Sequence, residues 1–176
     1  MKRKSLWSEI KFMLLLSLVC SLLLGGTNLA IGKRSELSEE TITAIFSITK
    51  IPFEQKSIYE EFESKFEQQS KGRIKLWKDK NNSSIVACEA TGGGMWGEIT
   101  IVFVLNKSDN QILGLKVTEQ KETAGLGSKI SEEDFEKQFT DKNIQNHVSV
   151  DAITGATTSS RYVEKLLNKA LEKIRD

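Results

Sequence analysis

Residues 98–106, EITIVFVLN, and residues 111–120, QILGLKVTEQ, decide the fold class. The first is a nearly continuous apolar run and the second alternates, which are the two patterns of a strand. Between them stand Lys107, Ser108, Asp109 and Asn110, turn-forming residues that predict a hairpin. Working back along the chain, residues 83–91 (SSIVACEAT) and 73–78 (RIKLWK) read as two further strands. Working forward, the period changes. Val163, Leu166, Leu167, Ala170, Leu171 and Ile174 form a helical stripe over residues 160–175. Consecutive strands followed by helices, with no strand–helix alternation, predict an α+β domain on a mainly antiparallel sheet flanked by helices.

Three shorter elements complete the expectation. Residues 37–48 carry Leu37, Ile42, Ile45 and Phe46 behind Ser38 and predict a short helix. Residues 56–70 place Ile58, Phe62 and Phe66 four apart, which predicts a one-faced amphipathic helix ending near Gly72. Ser131-Glu132-Glu133-Asp134 has the form of a capping box opening a short helix through Phe139.

Composition narrows the function classes. In 176 residues, 25 Lys+Arg face 24 Asp+Glu, so the formal charge of +1 provides no global basic field for nucleic acid and no acidic tail. Hydrophobic residues at 39% and charged residues at 28% are ordinary for a folded domain. Two cysteines exclude a disulfide framework, and Cys88 reads as a buried strand residue. The single histidine, His147, excludes a multi-histidine metal site and has no serine or cysteine nucleophile near it in sequence. No HExxH, CxxC pair, Walker loop or GxSxG occurs.

The N-terminus is the exception to a plain globular reading. No charged residue stands between Lys11 and Lys33. The run of roughly 21 residues is about 31 Å long as a helix, enough for a hydrocarbon core of about 30 Å. A transmembrane helix is therefore expected at 12–32. The alternative is a cleaved signal peptide, against which stand the length of the run and the lack of a small-x-small cleavage site. A lipoprotein reading of Cys20 is opposed by Val19 before it and by apolar residues after it. Lys2, Arg3, Lys4 and Lys11 precede the run with only Glu9 opposing them, whereas Glu36, Glu39 and Glu40 soon follow Lys33 and Arg34. That bias predicts a cytoplasmic segment at 1–11 and an extracytoplasmic domain at 33–176, carried on the inner or plasma membrane by one pass.

One segment is unusual chemically. Asp151-Ala152-Ile153-Thr154-Gly155-Ala156-Thr157-Thr158-Ser159-Ser160 packs five hydroxyls into seven positions just before the C-terminal helix. A helix cap needs one hydroxyl. Gly155 and Ala156 permit close approach of another group, and the orphan N–H groups and dipole of a helix start suit a phosphate. The residues alone thus leave two readings open, a helix cap and a phosphate site.

Asp151-x-x-Thr154-Gly155-Ala156-Thr157 resembles the flavinylation signature of the FMN-binding domain family of RnfG and NqrC, the membrane-anchored flavoproteins of the Rnf and Na⁺-NQR redox pumps. Gly92-Gly93-Gly94-Met95-Trp96-Gly97 resembles the family's glycine-tryptophan loop before a strand. Glu122-Thr123-Ala124-Gly125-Leu126-Gly127 resembles its ETPGLG block, with Ala124 in place of proline. The resemblance implies FMN joined through a phosphoester to Thr157, with Thr158, Ser159 and Ser160 as neighbours of the attachment point. It further implies cofactor contacts at Asp151, Thr154, Gly155, Ala156 and Thr158, and at Met95, Trp96, Glu122, Thr123, Gly125 and Leu126.

Isoalloxazine is flat and mostly apolar with a polar pyrimidine edge. Trp96, Met95 and Leu126 could supply the wall, and Thr123 with glycine-loop N–H groups the edge contacts. Glu122 could accept from a ring N–H or face solvent. The function implied is an electron-transfer subunit of an Rnf-type ferredoxin:NAD oxidoreductase coupled to Na⁺ or H⁺ movement. Its partners would be the other subunits and a flavin transferase that consumes FAD, with Thr157 as acceptor and no catalytic residue of its own. A subunit like NqrC, a stand-alone extracytoplasmic flavoprotein and a non-redox binding module are the alternatives.

Overall fold

The computed structural model describes residues 4–31, 37–70 and 74–175, giving the backbone alone at 4–6, 8, 23–31 and 70. Two compact units divide the chain at Ser38 and Glu39. The first contains helix α1 (Lys4–Ile31), with apolar side chains from Trp7 to Leu22 exposed. Among the described residues no helix is long and apolar enough to cross a membrane. The expected span at 12–32 is therefore not established, since the side chains of its second half lie outside the described residues, as do Lys33, Arg34 and Glu36.

The second unit opens with α2 (Glu39–Thr49) and α3 (Ile58–Lys65). Five strands follow, β1 (Phe66–Ser70), β2 (Ile74–Asp79), β3 (Ile85–Gly93), β4 (Glu98–Asn106) and β5 (Gln111–Glu119). They pair in sequence order, every pair antiparallel, as a meander. After two short 3₁₀ turns around α4 (Glu133–Glu136), an irregular segment leads to α5 (Thr157–Arg175). The α+β class with an antiparallel sheet is borne out.

Helices cover both faces of the sheet, which explains why β4 is an unbroken apolar run. Its residues Ile101, Phe103 and Leu105 join one core with Val163, Leu167, Ala170 and Leu171 of α5 and with Phe135 and Phe139. The pleat sends Val102 and Val104 to the opposite face, where they are equally buried beneath α2. On that side Phe46, Phe62, Phe66 and Trp77 form an aromatic cluster, with Phe62 and Phe66 stacked at 4.9 Å. Each large side chain so buried contributes about 1.5–3 kcal/mol. The Lys107–Asn110 turn is also borne out. Asn110 takes a positive φ of 55°, and the Asn106 side chain binds Ser108 N–H and Asp109.

Three expectations need correction. The helix read over 56–70 stops at Lys65, and residues 66–70 are a fifth strand, β1, paired to β2. No apolar residue follows Phe66 at helical spacing, so the open edge of β2 captures the chain; Phe66 enters the aromatic cluster all the same. The capping box is not formed. Ser131 ends a 3₁₀ turn, and Glu132 takes the cap position without a side-chain cap bond. Helix α5 begins at Thr157 and not at 160, so four of the five hydroxyls of the run, Thr157 to Ser160, form its first turn. Gly72 and Arg73, read as a helix end and a strand start, lie outside the described residues.

Candidate functional site

Met95 and Trp96 form the tip of the β3–β4 hairpin, closed by a bond from Gly94 N–H to the Gly97 carbonyl at 2.7 Å. Neither side chain is inside the core: Met95 is 54% and Trp96 68% exposed. Leu126, on the loop after β5, is 51% exposed. Apart from Tyr59, these three are the exposed large apolar side chains among the described residues of the second unit. All three line one cavity of about 420 Å³, together with Glu122, Thr123, Gly127 and residues 155–159. Large apolar side chains left in water around a concavity mark a binding site more often than a packing defect.

The hydroxyl run divides cleanly. Ser160 is buried, donates to the Ala156 carbonyl at 2.9 Å and accepts from Ile153 N–H at 3.2 Å. Ser159 is buried and donates to Glu122 Oε2 at 2.5 Å. Thr157 and Thr158 are exposed and line the cavity. Thr154 is exposed but does not line it. Helix geometry leaves the N–H groups of the first turn of α5 without intrahelical acceptors, beside the two available hydroxyls.

The approach to that turn is held by side chains. Val148 N–H donates to Asn168 Oδ1, and Asn168 Nδ2 returns a bond to the Val148 carbonyl, both at 2.8 Å. Val150 N–H donates to Glu164 at 3.1 Å. Asp151 N–H donates to Gln138 Oε1 at 2.7 Å. Gly155 then takes φ of +84°, which turns the chain into the helix.

Of the residues anticipated from sequence, Met95, Trp96, Glu122, Thr123, Leu126, Gly155, Ala156, Thr157 and Thr158 are brought together. Asp151, Thr154 and Gly125 do not line the cavity. Gly125 takes φ of +72° in the turn that presents Leu126. Glu122 does not face solvent: it is 8% exposed and accepts from Met95 N–H at 2.8 Å and Trp96 N–H at 3.2 Å, besides Ser159. The role of Gly127 and Ser159 in the cavity wall was missed by sequence reading. Ser159 and Glu122 are 37 positions apart, and no local pattern announces their bond. Cys88 is fully buried, and burial pushes its thiol pKa well up, so it is no nucleophile. His147 is exposed.

Comparison with known proteins agrees with this geometry. Residues 94–172 match the family described as FMN-binding domain. The chain is 29% identical over 105 residues to the G subunit of the proton-translocating ferredoxin:NAD(+) oxidoreductase complex of Clostridium ljungdahlii, covering 54% of this chain and 55% of that protein. It is 33% identical over 87 residues to the G subunit of the ion-translocating oxidoreductase complex of Methanosarcina acetivorans, covering 46% of each. The matched part thus spans about half the length of these curated relatives. Among solved structures, Shewanella oneidensis NqrC matches with a TM-score of 0.63 at 15% identity, over 76% of this chain and 91% of that one. The C subunit of the Na(+)-translocating NADH-quinone reductase of Parabacteroides distasonis matches with a TM-score of 0.58 at 18% identity, over 76% and 89%. Residues 94–172 thus match the FMN-binding domain family, and over 76% of its length the chain shares the fold of the two NqrC structures.

Proposed function

We propose that this chain is the electron-carrier subunit of an Rnf-type ion-translocating ferredoxin:NAD oxidoreductase, with FMN esterified through its phosphate to Thr157. The observation that carries the reading is the sorting of hydroxyls. Of the five in the run, Thr157 and Thr158 alone are both exposed and on the cavity, and that cavity carries the exposed trio Met95, Trp96 and Leu126. The family signature singles out Thr157 of the two, as the residue directly after Gly155-Ala156.

The residues present fit FMN. Trp96, Met95 and Leu126 would flank the isoalloxazine ring, Thr123 would meet its polar edge, and the first turn of α5 would hold the phosphate. No lysine or arginine is among the described residues that line the cavity. A phosphodiester carries one negative charge where a free phosphate monoester carries nearly two, so a helix N-terminus suits the esterified form better. FMN supplies one- or two-electron transfer. The chain's own contribution would be to hold the ring between Trp96, Met95 and Leu126 while the ester prevents loss of the cofactor. That retention matters for a domain at 33–176 outside the cytoplasm, beyond the intracellular flavin pool. The charge bias at 1–11 and the length of the 12–32 run support a single-pass anchor. A separate flavin transferase using FAD would make the link.

The two curated relatives named as G subunits favour the Rnf reading. An NqrC-like place in a Na⁺-translocating NADH:quinone reductase is the second reading, favoured by the fold matches. Co-expression with a flavin transferase, a denaturing gel under ultraviolet light and peptide mass spectrometry test the first. A fluorescent band is expected, with an FMN-minus-water increment on Thr157. Thr157→Ala should abolish it and Thr158→Ala should leave it. A wild-type protein without covalent flavin would overturn the reading. A reporter fused after Asp176 that is active only in the cytoplasm would overturn the topology.

A further inference from the structure

Glu122 stands where three segments meet. Its Oε1 accepts from Met95 N–H at 2.8 Å and Trp96 N–H at 3.2 Å, and its Oε2 accepts the Ser159 hydroxyl at 2.5 Å. Its own N–H is held by Gln120 Oε1 at 2.7 Å. Two glycines make room for the carboxylate. A Cβ on Gly94 would lie 2.5 Å from Glu122 Oε1, and one on Gly127 would lie 2.9 Å from Glu122 Cβ and 3.1 Å from Oε2. Such separations are below van der Waals contact, so both positions admit no side chain while Glu122 keeps this place.

We infer that Glu122 is a positioning residue that latches the Met95–Trp96 hairpin tip to the first turn of α5. The inference rests on the reading of this cavity as the flavin site, because it gives the latch its purpose. Two of the wall residues, Met95 and Trp96, sit on a hairpin tip closed by the bond from Gly94 N–H to the Gly97 carbonyl. The attachment residue sits on a different element. A ring tethered at Thr157 by a chain of rotatable bonds would sample many positions unless the wall keeps a constant distance from the tether. One charged acceptor holding two amides of the tip and one hydroxyl of the helix supplies that constancy, since bonds to an ionised acceptor are stronger than neutral ones. All three of its partners are donors, so the carboxylate has little capacity left for a ring N–H. Its role is to hold the wall and not to touch the cofactor.

The chemistry predicts an ordered series. Glu122→Gln keeps shape and one carbonyl acceptor for the tip, and the Ser159 hydroxyl can turn to accept from the new amide. Glu122→Ala removes every arm. Ser159→Ala removes one arm and leaves the tip bonds. The experiment is site-resolved amide hydrogen exchange on the flavin-free protein, with visible absorption of the flavin-loaded protein as second readout. In Glu122→Ala the Met95 and Trp96 amides should exchange at least about tenfold faster, equivalent to 1.4 kcal/mol. Residues 99–105 of β4 should be unchanged, and the flavin band should shift. Glu122→Gln keeps the arms but loses the charge, so its exchange at 95 and 96 should rise less than in Glu122→Ala, and Ser159→Ala should likewise fall between wild type and Glu122→Ala. Unchanged exchange at 95 and 96 in Glu122→Ala would overturn the latch. So would an increase spread evenly over β3 and β4, the mark of a purely structural residue. If Glu122→Ala fails to fold, Ser159→Ala decides by the same amides, and wild-type exchange there overturns the proposal. Because exchange is read without flavin, absence of covalent FMN would sink the function reading and leave this result standing.

Discussion

Leu126 Cδ2 lies 3.2 Å from the position a Cβ would take on Gly155, and Gly155 itself holds φ of +84°. The apolar wall and the turn into α5 are therefore in register at the one backbone position where a side chain is disfavoured twice, by conformation and by contact. Gly155→Ala should cost about 1–2 kcal/mol from the left-handed backbone alone. It should also push Leu126 outward. Chemical denaturation measures the first effect. A weaker fluorescent band after co-expression with a flavin transferase measures the second, at equal amounts of folded protein.

Leu126→Ala tests the wall without touching the tether. The side chain is half exposed, so its truncation should change stability by less than about 0.5 kcal/mol. Covalent flavin should remain. The absorption maximum or reduction potential should shift, because an apolar neighbour of the ring is replaced by water. Spectra identical to wild type would mean that Leu126 does not contact the ring.

Asn168 is nearly buried and bonds both backbone groups of Val148, and its Nδ2 also donates to the Glu164 carbonyl at 2.8 Å. Asn168→Ala would leave a buried N–H and a buried carbonyl of residue 148 unpaired. The expected loss is about 2–4 kcal/mol, read as a lower urea midpoint. A structural residue of this kind should leave flavin attachment intact wherever the protein is still folded. Reduced labelling at full folding would give Asn168 a larger part in presenting Thr157.

Cys88 should be inert in the native protein and reactive in denaturant, measured by alkylation. Burial raises its thiol pKa above the ordinary value, with a smaller opposing influence from Lys107. The native thiol thus keeps its proton while the unfolded one ionises above about pH 8.5. Its contribution to stability is complete below that pH and is lost as pH rises, since the native state binds more protons than the unfolded one. Cys88→Ala should flatten the alkaline limb of the stability profile and leave its shape at neutral pH unchanged.

The strand at 98–106 was legible because it sits between helices on both faces, where a residue must be apolar whatever its neighbours are, and the strand at 111–119 because it alternates. The α5 stripe was legible for the converse reason, one face buried and one in water. The strand β1 was not legible. FEQQS has no strand pattern of its own, and only the free edge of β2 made residues 66–70 extended. Phe66 misled because the same aromatic cluster is reached from a helix at spacing four or from the first position of a strand.

The site divides the same way. Its signals were short: a Gly-Ala-Thr turn at a helix start stands out by its hydroxyls, and the two glycine loops stand out only by their resemblance to family blocks. Sequence alone determined the antiparallel α+β class and the hydroxyl run, and the family resemblance picked out the two glycine loops that meet that run at the cavity. Tertiary structure alone decided which hydroxyls remain available, since burial of Ser159 and Ser160 depends on partners far away or on the path of the chain. It also decided that Glu122 turns inward to join two segments, because a carboxylate in a loop is compatible with solvent until the donors of a distant hairpin and helix surround it. Local patterns record what each segment can do. Only packing sets which groups are left free to do it.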